Sequence, residues 1–225
     1  MLFVWFLLYG GIYTAAESLS QTLGTAHVVT VPAMLLYTGG FVFRLCRTGR
    51  AHTAGIKTIP LKDLKKYLFF LPLGALPVYN VLTGSGWELS FSLAALMLCA
   101  SIAEELFFRG FLLRILLKWS RAGGIVVSGA VFALAHFVNL IQGADLSYVL
   151  MQTLCAFSAG IGFAAVTAAS GSVLPCIVAH FLINISAGSG TMGPAECGLG
   201  LWVCAAVYVV YGIWIYIRNN KCEVN

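Results

Sequence analysis

The sequence predicts an all-α membrane protein, a single polytopic bundle of about eight spanning helices occupying residues 1–225. Three observations carry that prediction. Of its 225 residues, 60% are hydrophobic and 9% charged, against about 25% charged in soluble domains. A water-soluble fold of this composition, with a mean hydropathy of +0.92, would have too little polar surface to show solvent. The apolar residues form continuous runs near the roughly 20 residues that a spanning helix needs, without the alternation of barrel strands. Finally, the basic residues fall in alternate connections between those runs.

The first run lies near 1–15 and has no basic segment before it. It is read as a retained span, although Thr14-Ala15-Ala16-Glu17 resembles a signal-peptide cleavage site. The second lies near 26–45, and the others near 67–83, 89–118, 123–141, 147–169, 172–187 and 198–217, each bounded by Gly, Pro, Ser or charge. Arg44 to Lys66 is the one long polar connection. Lipid headgroup contact or substrate docking would suit its charge, but setting orientation is sufficient reason for it. In the sixth run Gly160 and Gly162, beside Ser158, Ala159, Ala164 and Ala165, predict a close helix contact.

The net charge of +5 reports topology rather than a nucleic-acid partner. Of the 13 basic residues, seven (Arg44, Arg47, Arg50, Lys57, Lys62, Lys65, Lys66) fall between the second and third runs. Arg114, Lys118 and Arg121 surround the fourth-to-fifth connection, and Arg218 and Lys221 follow the last run. The opposite connections carry Glu17, Glu88, Asp145 and Glu196 and no Lys or Arg. By the positive-inside rule both termini are then expected in the cytoplasm. The seven cysteines form no CxxC pair or metal-ligand spacing, so they are read as small apolar core residues.

What remains is the polar set inside the spans. Glu104, Glu105 and Arg109 lie within the apolar stretch Cys99 to Leu113, and His136 and His180 lie in later runs. An ionised carboxylate near the bilayer centre costs at least about 2.5 kcal/mol, so each such group needs a partner, hydration or neutralisation. Glu105 and Arg109 stand four residues apart, on one helix face, and are expected to pair. Glu104 is turned by about 100° from Glu105 and must look to another helix, where the histidines are the available partners. His180 and Asn184 are again four apart, an imidazole and an amide on one face. Each intramembrane histidine alone is as consistent with helix packing, through a bond to Ser or a backbone carbonyl, as with chemistry.

Taken together and in order, Glu104-Glu105-x-x-x-Arg109, Phe132-x-x-x-His136 and His180-x-x-x-Asn184 resemble the three signature motifs of the CAAX protease and bacteriocin-processing family, also called Abi or Rce1-like. The resemblance covers roughly residues 89–187 and no motif position departs from it. It implies an intramembrane endopeptidase in which Glu104 and His136 hold and deprotonate a water, and His180 and Asn184 serve the oxyanion. Glu105 and Arg109 would orient their helix. Elementary chemistry agrees: a desolvated carboxylate is a competent base, and buried N–H donors stabilise developing charge.

No metal is expected, because the prenyl-protein protease branch implies a glutamate-activated water and HExxH spacing is absent. Zinc held by Glu104, His136 and His180 is the alternative. The implied partners are a protein or peptide substrate, membrane-associated in keeping with the site, and the lipid bilayer, with no nucleic acid. Bacterial relatives are linked to peptide processing and bacteriocin self-immunity, so the family name does not promise a prenylated substrate. The ending Cys222-Glu-Val-Asn225 resembles a CaaX box but carries Glu at an aliphatic position. A bacterial plasma membrane is the expected location. Two other classes compete: a proton-coupled transporter, which would favour paired repeats and interrupted helices, and a non-catalytic immunity or binding protein, which would be expected to have lost the motifs.

Overall fold

The computed structural model describes residues 2–61, 63, 90–141, 143–188 and 198–220. Among these there is no strand, and the fold is a helical membrane bundle. The helices are α1 (Leu2–Thr22), α2 (Thr30–Arg47), α3 (Phe91–Leu116), α4 (Arg121–Ala135, with a further turn Val138–Ile141), α5 (Leu146–Ser170), α6 (Leu174–Gly188) and α7 (Gly198–Asn220). Among the described residues three stretches, Phe91–Leu116, Arg121–Ile141 and Leu146–Ser170, are long and apolar enough to cross a membrane. The run predicted near 67–83, and with it Lys65, Lys66 and Glu88, lies outside the described residues, as do Lys62, Glu196 and Lys221.

Local chemistry sets the helix ends. Ser90 and Ser120 cap α3 and α4 by accepting the amides of Leu93 and Gly123 at 3.1 Å. Asp145 caps α5, accepting from the Ser147 hydroxyl and from the Ser147 and Tyr148 amides. Those donors, the Ser147 hydroxyl foremost, hold its carboxyl below the usual range. The chain leaves α5 through Gly171 in the left-handed region (φ 66°), a conformation glycine adopts without steric cost.

α1 extends seven residues beyond the predicted end of the first run, through Glu17 to Thr22. The carboxylate does not end the helix because its charge is satisfied locally: Thr30 Oγ1 donates to it at 2.6 Å, and His27 Nδ1 lies 2.8 Å away. Glu17 thereby ties the end of α1 to the head of α2. Along the shared face Trp5 stacks on Phe41 at 4.0 Å, and Tyr37 donates to the Trp5 carbonyl at 3.2 Å.

The long polar connection is more than a charge label. Its first residues, Arg44 to Arg47, finish α2. Ala54, only 3% exposed, then joins the core of Trp5, Phe41, Leu45, Ala103, Leu106 and Val173. The Gly55 carbonyl accepts from the Val173 amide at 2.9 Å, and the Lys57 carbonyl accepts from Ser172 Oγ at 2.6 Å. This strap fits because Gly110 of α3 has no side chain; a Cβ there would stand 2.6 Å from the Ala54 carbonyl oxygen.

The predicted close contact at Gly160 and Gly162 is present, and it is two contacts. A Cβ on Gly160 would lie 2.9 Å from Gly129 Cα, so α4 and α5 cross backbone to backbone. Gly162 meets Tyr208 and Gly212 of α7. Among the cysteines, Cys99 and Cys176 are buried as predicted, whereas Cys46, near the basic end of α2, is exposed. Cys197, Cys204 and Cys222 fall outside the described side chains.

Candidate functional site

α3 carries a stripe of buried polar side chains. Ser101, Glu105 and Arg109 follow one another at four-residue spacing, and all three are completely buried. Arg109 Nη1 donates to Glu105 Oε1 at 2.9 Å, the ion pair expected from the sequence. Its Nη2 reaches the Gly160 carbonyl oxygen at 3.4 Å, linking α3 to α5. The guanidinium carbon lies 4.3 Å from the Phe132 ring centroid and 5.2 Å from that of Phe163, so π faces and a carboxylate replace its water shell. The Gly129–Gly160 crossing is what brings these two rings, one from α4 and one from α5, near the same cation.

At Phe108–Leu112 the helix opens into a π turn, widening at the residue that carries the guanidinium. Such turns inside α-helices are frequent at functional sites.

α6 faces this stripe with His180 and Asn184. His180 Nδ1 lies 2.9 Å from Glu105 Oε1, the same oxygen that holds Arg109. A carboxylate oxygen paired with a guanidinium is an acceptor, so Nδ1 carries the proton and Nε2 faces away with its lone pair or a second proton. On that side stands Glu104, with Oε2 3.8 Å from His180 Nε2. This is ion-pair range but too long for a direct hydrogen bond, and a water bridging the two groups would fit the span. The two neighbouring carboxylates therefore have different settings: Glu105 is sealed, and the Glu104 side chain keeps 27% of its exposure.

His136 occupies the C-terminal cap of α4, where its Nδ1–H donates to the Phe132 carbonyl at 3.0 Å. Its Nε2 is consequently the free nitrogen. The His136 and His180 rings both stand edge to face against Phe132, at centroid separations of 5.1 and 5.6 Å. Glu104, Glu105, Arg109, His180 and Asn184 are thus gathered at the α3–α6 contact, with His136 joined to them through the Phe132 ring. Asn184 Nδ2 donates to Ser101 Oγ at 3.3 Å.

Ser101, Phe163 and the Gly160 carbonyl were absent from the sequence-derived set. Ser101 had a signal, four residues before Glu105 on an otherwise apolar face. Nothing in the local sequence ties Phe163 or Gly160 to Arg109; that proximity comes from the helix crossing. As to zinc, no three His, Cys, Asp or Glu side chains converge as a ligand group among the described residues.

Residues 86–186 match the family model described as type II CAAX prenyl endopeptidase, Rce1-like. No curated protein and no solved structure matches the chain. The matched segment contains all six predicted site residues, and the family is the one that their motifs resemble. Residues 86–186 are therefore similar to Rce1-like proteases, a likeness that supports an intramembrane endopeptidase acting on a peptide or protein.

Proposed function

We propose that this Rce1-like chain hydrolyses a peptide bond within the bundle with a water activated by Glu104 and His136, while His180 and Asn184 stabilise the oxyanion. The observation that carries the reading is the His180 imidazole, anchored through Nδ1 to the sealed Glu105–Arg109 pair with Nε2 toward the more open Glu104. In the first step Glu104 takes one proton from water as the water oxygen attacks the carbonyl carbon, and His136 Nε2 accepts a hydrogen bond from the O–H that stays on that oxygen. The carbonyl π electrons move onto oxygen, which receives hydrogen bonds from the Asn184 amide and from protonated His180 Nε2. Glu105 stabilises the positive charge on that ring, as a buried carboxylate does for a catalytic histidine. The C–N bond then breaks and the proton held by Glu104 passes to the leaving nitrogen.

The substrate class is a membrane-associated peptide or protein, in peptide processing or bacteriocin self-immunity, in a bacterial plasma membrane with both termini cytoplasmic. The reaction needs no metal in this reading. Purified protein is to be incubated with a library of membrane peptides, comparing wild type with Glu104→Ala and His180→Ala, each with and without chelator. The expected outcome is cleavage by wild type, unaffected by chelator, and a loss of at least about 100-fold in both variants. Chelator-sensitive cleavage would restore the zinc alternative, and equal cleavage by all three proteins would overturn the assignment.

A further inference from the structure

We infer that Ser101 is a positioning residue for the reaction, acting through Asn184 by fixing which way the amide faces. The inference rests on the reading of Asn184 as an oxyanion donor. Ser101 is completely buried on α3, one turn before Glu105. Its Oγ–H donates to the Met97 carbonyl at 2.8 Å. A hydroxyl has one proton, and here a backbone carbonyl, which can only accept, holds it.

Toward Asn184 the Ser101 oxygen therefore offers only lone pairs. The amide atom 3.3 Å away must then be the donor Nδ2 and not Oδ1. A flipped amide would set two acceptors against each other in a buried position and leave both without a proton. The first Nδ2 hydrogen is thus committed to Ser101, and the second remains for the carbonyl oxygen of a substrate. The side chain is held between two helices: its backbone belongs to α6 and its amide is oriented from α3. Ser101 touches neither water nor substrate in this scheme, and its contribution is the orientation of the group that does.

The distinctive consequence is dependence on Asn184. Ser101→Ala should lower kcat about 10-fold with KM unchanged, and Asn184→Ala about 100-fold, the scale of a lost oxyanion donor. Ser101→Ala added to Asn184→Ala should cost nothing more, because the residue through which Ser101 acts is gone. A further 10-fold loss in the double variant would overturn the inference and make Ser101 a general packing residue. Unchanged kcat in Ser101→Ala, alongside a dead Glu104→Gln, would overturn it while leaving the protease reading intact.

A second measurement does not need turnover. In protein labelled with ¹⁵N at asparagine side chains, the amide pair that disappears in Asn184→Ala should shift and broaden in Ser101→Ala. An unmoved Asn184 pair would refute the hydrogen bond itself. If Glu104→Gln cleaves as well as wild type the proposed function falls, and this spectrum still decides whether Ser101 sets the amide.

Discussion

Replacing Glu105 by leucine removes the carboxylate paired with the completely buried Arg109 and leaves a guanidinium among Phe108, Phe132 and Phe163. Among the described residues the remaining hydrogen bond is Nη2 with the Gly160 carbonyl, at a long 3.4 Å. Breaking a buried pair on one side costs about 3–5 kcal/mol, two to four decades in the folding equilibrium. Three aromatic faces offset part of that cost, so the lower end, about 3 kcal/mol, is expected. Glu105→Leu combined with Arg109→Met removes both charges and fills similar volume, and should return to within about 1 kcal/mol of wild type. The assay is reversible unfolding by titration with a denaturing detergent, followed by tryptophan fluorescence. The paired variant should fold yet be inactive, because His180 Nδ1 has then lost its acceptor. A Glu105→Leu cost below about 1 kcal/mol, or a double-variant cost equal to the sum of the singles, would refute the reasoning.

Gly160→Ala places a Cβ 2.9 Å from Gly129 Cα, where backbone must yield; a loss of about 1–3 kcal/mol is expected in the same titration. Gly110→Ala meets the Ala54 carbonyl at 2.6 Å and should release the strap, read as faster proteolytic cutting around residues 50–60. Membrane-impermeant maleimide should modify the exposed Cys46 in inside-out membrane vesicles but not in intact cells, and should spare the buried Cys176 in both. Labelling of Cys46 solely from the opposite face would contradict the orientation read from the basic residues.

Different physical signals explain what could be read before the structure and what could not. The Glu105–Arg109 pair was legible because helical spacing alone brings the two together, and an unpaired charge in lipid is too costly to leave. The Gly160 contact was legible because small residues in an apolar helix have few other uses. Glu104's need for a histidine from another helix also followed from its angular position, but which histidine was nearest depended on how α3 meets α6. His180 takes that place, while His136 bonds within its own helix.

The extension of α1 past Glu17 was hidden because a charge looks like a span boundary until Thr30 and His27 are seen to partner it. The strap was hidden by its charge count. Its apolar members, Ala51, Ala54, Ile56 and Ile59, are scattered among polar residues, and the close approach of Ala54 to α3 depends on the space left by Gly110. The π turn at Arg109 has no sequence mark apart from its neighbours.

The most direct test of the central claim is hydrolysis in H₂¹⁸O by wild type and by Glu104→Gln, with the peptide products weighed by mass spectrometry. Glu104-driven attack by water predicts one ¹⁸O in the new carboxylate for wild type and no labelled product above background for Glu104→Gln. Equal labelled product from both proteins would show that Glu104 does not activate the water and would contradict the account.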